Sequence, residues 1–155
     1  MSPPARPEEL AELGTLIDAW TTRLREGDTA VVAVDYEPEF RRWYVRMRGE
    51  DKAFITVWLT LRERSLHYET YFMPAPEENL AECFEFLLRV NMRMVNMAFA
   101  IGLEDAVYLV GQTPFDDVDE DSLDEIIGAA YAYSEQYFRP AMTIGYASKF
   151  RPRGS

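Results

Sequence analysis

The chain has 155 residues, 48% hydrophobic and 14% aromatic, a profile that fits one folded domain and excludes a disordered segment. Its 27 acidic residues outnumber 16 basic ones for a net charge of −11, a field that repels phosphate backbones and anionic lipid and argues against nucleic-acid or membrane partners. The single cysteine, Cys83, excludes an intrachain disulfide, and no stretch approaches the roughly 20 apolar residues of a membrane span.

The first predicted element is a helix starting near Pro7, whose missing N–H suits the first helical position. Glu8 and Glu9 favour the positive end of its dipole. Leu10, Leu13, Ile17, Trp20 and Leu24 recur on one face, and Gly27 is expected to end the helix in a left-handed conformation. Residues 30 to 36 are rich in β-branched side chains and read as a strand. Residues 42 to 48 alternate, with Trp43, Val45 and Met47 on one side and Arg42, Tyr44, Arg46 and Arg48 on the other. Residues 53 to 61 divide Ile55, Val57, Leu59 and Leu61 from Phe54, Thr56, Trp58 and Thr60. Residues 65 to 73 divide Leu66, Tyr68 and Phe72 from His67, Glu69 and Tyr71. The polar joints at 49–52 and 62–64 read as hairpin loops, so these segments form an antiparallel meander with one buried and one wetter face.

A second helix is expected from about Glu77 to Met97. Glu82, Glu85, Arg89, Arg93 and Asn96 form its polar stripe, and the rest of its circumference is apolar, including Cys83, Phe86, Met92 and Met94. Such a wide arc exceeds what one sheet face needs, which predicts self-association through Phe86 and Met92. Two short strands follow: Phe99, Ile101 and Leu103 alternate in one, Val107 and Leu109 in the other. A last helix is expected from Asp121 or Ser122. Ser122 and Glu125 have capping-box spacing, and Pro140 is expected to end or kink the helix. The order is helix, four strands, helix, two strands, helix: an α+β fold in a single domain over 1–155, with an ordered core of about 8–148 and a loose basic tail at 149–155. Met1 to Pro7 has no apolar run after Arg6, unlike a secretion signal, so a cytoplasmic protein is expected.

Leu87-Leu88-Arg89-Val90-Asn91, then Asn96, Val107-Tyr108-Leu109-Val110-Gly111, Ser122-Leu123-Asp124-Glu125-Ile126-Ile127-Gly128 and the Gly145-Tyr146 region, in that order and spacing, resemble the YbjN-domain family. The family is described as bacterial sensory transduction regulators. The resemblance implies a type III secretion chaperone-like fold, a small adaptor-like regulator that binds polypeptides, and dimers. It supplies no catalytic residues.

The residues themselves agree with that absence. A lone histidine, His67, and a lone cysteine leave no room for a nucleophile–histidine triad or a multi-ligand zinc site. His67 reads as an ordinary surface residue and Cys83 as a small buried hydrophobe. The run Asp116-Asp117-Val118-Asp119-Glu120-Asp121 can be set on the first ligand positions of a calcium loop. The required glycine is then Ser122 and the required glutamate is Gly128, so an acidic approach to a helix N-terminus is the better reading. The glycines match no phosphate-binding pattern. No catalytic, cofactor or metal residue is assigned. The one constellation with binding character is Arg42, Tyr44, Arg46 and Arg48 beside Phe54, Trp58 and Tyr71, where arginines and large rings can hold an acidic peptide. Plain cross-strand stacking, with arginine paired to Glu69, competes with it. The expected function is a non-enzymatic protein-binding adaptor that acts as a homodimer. The alternative is a small-molecule sensing domain with a pocket between sheet and helix.

Overall fold

The computed structural model describes residues 3–27 and 29–150. Three helices, α1 (Pro7–Glu26), α2 (Leu80–Asn91) and α3 (Glu120–Gly145), accompany six strands: β1 (Val31–Glu37), β2 (Arg42–Arg48), β3 (Phe54–Leu61), β4 (Ser65–Met73), β5 (Ala98–Ile101) and β6 (Val107–Pro114). The strands form one antiparallel sheet in the order β1-β2-β3-β4-β6-β5. The meander is as the alternation predicts. After β4 the chain crosses through α2 to the far edge, lays down β5, and returns as β6 between β5 and β4.

All three helices pack on one face of the sheet. That face carries Trp43, Val45, Met47, Ile55, Val57, Leu59, Leu66, Tyr68, Phe72 and Leu109, all buried. Two tryptophans fasten α1, one to the sheet and one to α3: Trp43 Nε1 donates to Asp18 Oδ1 and Trp20 Nε1 to Asp124 Oδ1, each at 2.8 Å. Helix α3 grips the β2–β3 hairpin from above. The Glu135 carboxylate accepts the backbone N–H groups of Glu50, Asp51 and Lys52 at 3.0, 2.9 and 3.2 Å. A Cβ on Gly49 would lie 2.2 Å from the Lys52 carbonyl oxygen, so only glycine closes this loop. Lys52 reaches inward to donate to the Phe72 carbonyl and lies over the Phe138 ring, where burial lowers its pKa.

Several boundaries differ from the sequence expectation, each for a tertiary reason. Helix α2 is shorter than 77–97 at both ends. The N–H groups of Glu77 and Glu78 are taken by the Gly145 carbonyl, and the Asn79 side chain donates to Ile144 O. At the other end the Asn91 side chain bonds both backbone groups of Phe99, which turns the chain back toward β5. Met92 therefore lies just past the helix and Met94 and Met97 well beyond it. Gly27 is extended, with φ −86°, rather than left-handed. Helix α3 begins at Glu120, and its capping box joins Asp119 to Ser122 rather than Ser122 to Glu125. Pro140 lies inside α3, which continues to Gly145. The C-terminal turns of α3 are held by packing: Ala141 is buried, and Gly145 sits where a Cβ would meet Pro76 and Met73. Leu103 falls in a 3-10 turn after β5. Lys149 and Phe150 are tied down, by Glu77 at 2.7 Å and by the Phe138 ring; the rest of the expected loose tail, 151–155, lies outside the described residues.

Candidate interaction face and the β5 edge

Period-two alternation puts every second strand residue on the face opposite the helices. The register then aligns these residues in rows across the sheet. One row runs Asp35, Tyr44, Trp58, Glu69, Val110, Ala98. A neighbouring row runs Arg42, Thr60, His67, Gln112.

On the β2–β3 half of this face, arginines and rings interleave. The Arg42 guanidinium lies 4.9 Å from the Trp58 ring and 5.3 Å from Phe40, and its Nε donates to Thr60 Oγ1. Arg46 sits 3.8 Å from the Phe54 ring and Arg48 5.9 Å from the same ring. Tyr44 meets Trp58 edge-on at 5.2 Å and donates its hydroxyl to Glu37; burial and that carboxylate raise its pKa. With Glu37 so engaged, none of the three arginines forms an ion pair with a carboxylate among the described residues. The expected pairing with Glu69 does not form. Arg42 spends donors on Thr60 and Tyr44, whereas Arg46 and Arg48 are exposed, and a guanidinium group is a bidentate donor for a carboxylate.

The sequence grouped Tyr71 with this patch. The structure places it on the same face but in the other half, 45% exposed, where it meets Tyr108 edge-on at 5.6 Å. Phe40, on the turn before β2, belongs to the patch and was not anticipated; alternation within strands gives no signal for a turn residue. His67 is half-buried on this face, and burial, then Arg62, lower its pKa, with Glu69 opposing.

A second feature lies at the β5 edge. Phe84, Leu87, Leu88, Phe99, Ile101 and Val107 line an apolar groove of about 250 Å³ between α2 and β5. Leu88 and Ile101 in its wall are more than half exposed, as are Met92, Val95 and Leu103 in the segments that follow α2 and β5. Of the two residues expected to mediate self-association, Met92 is exposed, while Phe86 is half-buried and stacks on Tyr137 of the same chain. Leu88 was within the predicted apolar arc; the register of Ile101 beside it depends on how the crossover places β5.

A third feature is a cleft of about 500 Å³ between β4, β6 and the start of α3, with Tyr68, Gln112, Asp117, Glu125 and Tyr133 in its wall. Tyr68 donates to the Asn96 carbonyl and Tyr133 accepts from the Val95 N–H, which holds the 95–97 turn as its rim. Elsewhere the candidate chemistry is quiet. Cys83 is fully buried, its pKa raised by desolvation. Asp119 of the acidic run caps α3, and among the described residues no three His, Cys, Asp or Glu side chains converge as metal ligands would. No helix among them is long and apolar enough to cross a membrane.

Comparison with known proteins agrees with the sequence resemblance. The chain is 30% identical over 107 residues to "Uncharacterized protein Rv0487" of Mycobacterium tuberculosis, covering 69% of this chain and 58% of that protein. It is 27% identical over 110 residues to "Uncharacterized protein ML2442" of Mycobacterium leprae, covering 71% and 60%. The chain thus spans less than two thirds of these curated relatives. Its fold is similar to that of the Yersinia pestis type III secretion chaperone SycH, solved in complex with a stable fragment of YscM2, with a TM-score of 0.54, 16% identity, and coverage of 79% of this chain and 96% of that one. The family model described as "Putative bacterial sensory transduction regulator" matches residues 19–141, so the chain belongs to the YbjN family.

Proposed function

We propose that this chain is a non-enzymatic, cytoplasmic protein-binding adaptor that captures an acidic segment of its partner on the open sheet face. The observation that carries the reading is the set of three guanidinium groups stacked on aromatic rings, none of them ion-paired to a carboxylate among the described residues. Arg42, Tyr44, Arg46, Arg48 and Trp58 form the contact surface, with Tyr71 at its margin. Arginine supplies directional contacts and the rings supply area, the usual composition of an energetic hot spot. The SycH fold is occupied by a fragment of another protein, which supports a polypeptide partner here. Changing Arg46 and Trp58 together to alanine is expected to leave the fold intact and to remove partners captured from native lysate. Retention of every partner by the double variant overturns the reading.

The same reading includes a homodimer formed at the β5 edge. Among the described residues β5 is short, uncharged and unpaired on its outer side, and its exposed Ile101 shares a groove with the exposed Leu88 of α2. Natural sheets protect free edges with very short strands, charges, bulges or proline; β5 is short but has none of the other three. A Leu88→Glu, Ile101→Lys double variant is expected to sediment as a monomer where the parent sediments as a dimer. A parent that is monomeric at high micromolar concentration removes the dimer from the proposal. One observation favours a second reading, a small-molecule sensor: the cleft beneath the start of α3 is of ligand size and joins tyrosine hydroxyls to two carboxylates. Mass spectrometry of the protein released from native lysate separates the two, since a sensor carries a stoichiometric small molecule and an adaptor carries polypeptide.

A further inference from the structure

The open face has two halves of different chemistry. The β2–β3 half carries Arg42, Arg46 and Arg48. The β4–β6–β5 half carries Tyr71, Tyr108, Val110, Ala98 and Ala100, all at least partly exposed and none charged. Glu69 lies on the seam between them, opposite Trp58 on one side and Val110 on the other.

We propose that the occupant of this face is an acidic amphipathic helix, laid with its apolar stripe on β4–β6–β5 and its carboxylate flank over β2–β3. The inference rests on the adaptor reading and names the partner's form. Backbone satisfaction decides between helix and strand. In the middle of a sheet every main-chain donor and acceptor is already used in the ladders, so a partner on the face receives side-chain contacts only. An extended segment there would press unpaired N–H and C=O groups onto alanine, valine and tyrosine rings, with a desolvation penalty for each. A helix satisfies its own backbone and presents only side chains. Dimensions agree. Three strand steps, roughly 4.8 Å each, separate the Arg column on β2 from Val110 and Tyr108 on β6, and a helix with its side chains is about 10–12 Å wide. Charge sets the orientation. The guanidinium groups, which form no ion pair among the described residues, attract carboxylates to the β2–β3 half, while Glu69 repels them from the seam. A single-stranded nucleic acid could also stack on arginine and aromatic rings. It would leave the alanine and valine half unused, so the helix is the better fit.

The test uses the full chain and designed peptides of about 18 residues, five helical turns. One has a leucine stripe with a glutamate flank. A second carries lysine in place of glutamate, and a third has two central prolines in the first. An oligothymidylate of similar length is the fourth probe. Fluorescence anisotropy is expected to detect the glutamate peptide, with a gain of helical circular dichroism on binding, and to find the lysine and proline peptides at least about tenfold weaker. Arg46→Glu and, separately, Val110→Asp are expected to weaken the glutamate peptide by a similar factor. Arg46→Glu is also expected to narrow or reverse the preference over the lysine peptide. Equal binding of the proline peptide overturns the helix, equal binding of the lysine peptide overturns the charge orientation, and tighter binding of the oligothymidylate overturns the class of partner. If none of the peptides binds while lysate partners are still lost in the Arg46→Ala, Trp58→Ala variant, the helical occupant is wrong and the adaptor reading survives. If that variant keeps its lysate partners, the adaptor reading falls with it.

Discussion

The two faces of the sheet are built from the same strands, residue by residue in alternation, and they differ in what their side chains touch. On β3, Leu59 faces the helices and is fully buried, while its neighbour Trp58 faces away and is only half-buried. The inner face is bound by dispersion and exclusion of water, with two tryptophan–aspartate hydrogen bonds at its margin. The outer face is held by ring–guanidinium stacking, which orders side chains without removing them from solvent. The contrast teaches that stability and recognition can be assigned to opposite sides of one layer. An inner-face residue is fixed by its neighbours, whereas an outer-face arginine keeps donors free for something else.

The comparison is broken most severely by exchanging the roles of adjacent residues. Leu59→Ala removes buried volume and is expected to cost roughly 2–5 kcal/mol, read from the urea midpoint. Trp58→Ala, one residue away, loses its cross-strand contacts with Arg42 and Tyr44 and is expected to cost about 1–2 kcal/mol. Equal losses would make the outer face a second core and remove the argument for binding there. The margin of the inner face gives a smaller effect. Asp18→Ala strands the Trp43 indole N–H and is expected to cost about 1–3 kcal/mol, while Asp18→Asn, which keeps an acceptor oxygen, recovers much of it. If alanine and asparagine behave alike, the hydrogen bond contributes nothing measurable.

The smallest effect sharpens the contrast on the outer face, through its sole histidine. Burial lowers the His67 pKa from its ordinary value near 6.5. The folded state therefore favours the neutral ring, and the unfolded chain binds more protons between the folded pKa and that ordinary value. The contribution is complete above about pH 6.5 and is lost as the pH falls from there through the lower, folded value. Denaturation midpoints of the wild type and His67→Gln, compared at pH 7.5 and 5.5, are expected to show a steeper decline in the wild type. Parallel declines would place His67 in full solvent contact.

Much of this was legible because it depends on short-range periodicity. Strands β2 to β4, their two faces, and the grouping of Arg42, Tyr44, Arg46 and Arg48 with Phe54 and Trp58 follow from alternation alone. The buried stripes of α1 and α3 follow from helical spacing. The α+β class follows from the order of elements, and the chaperone-like architecture is what the resemblance to the YbjN family implies. What failed were ends and partners. The apolar pattern after Asn91 continues at helical spacing, yet α2 stops there because the Asn91 side chain pairs with the backbone of Phe99. Pro140 reads locally as a stop or a kink; α3 does not stop there, and its last turns are held by Ala141 and Gly145 packing against α2 and the end of β4.

The sequence by itself determined which side chains share a face, since a pleated strand and an α-helix impose fixed periods on any residues that adopt them. Only the tertiary structure decided where α2 stops. It also put β5 at the sheet edge beside Leu88 and brought Glu135 onto the hairpin loop at 50–52. Those outcomes join residues distant in the chain, and the energies that choose among them come from burial and satisfied backbone groups that exist only once the layers have met.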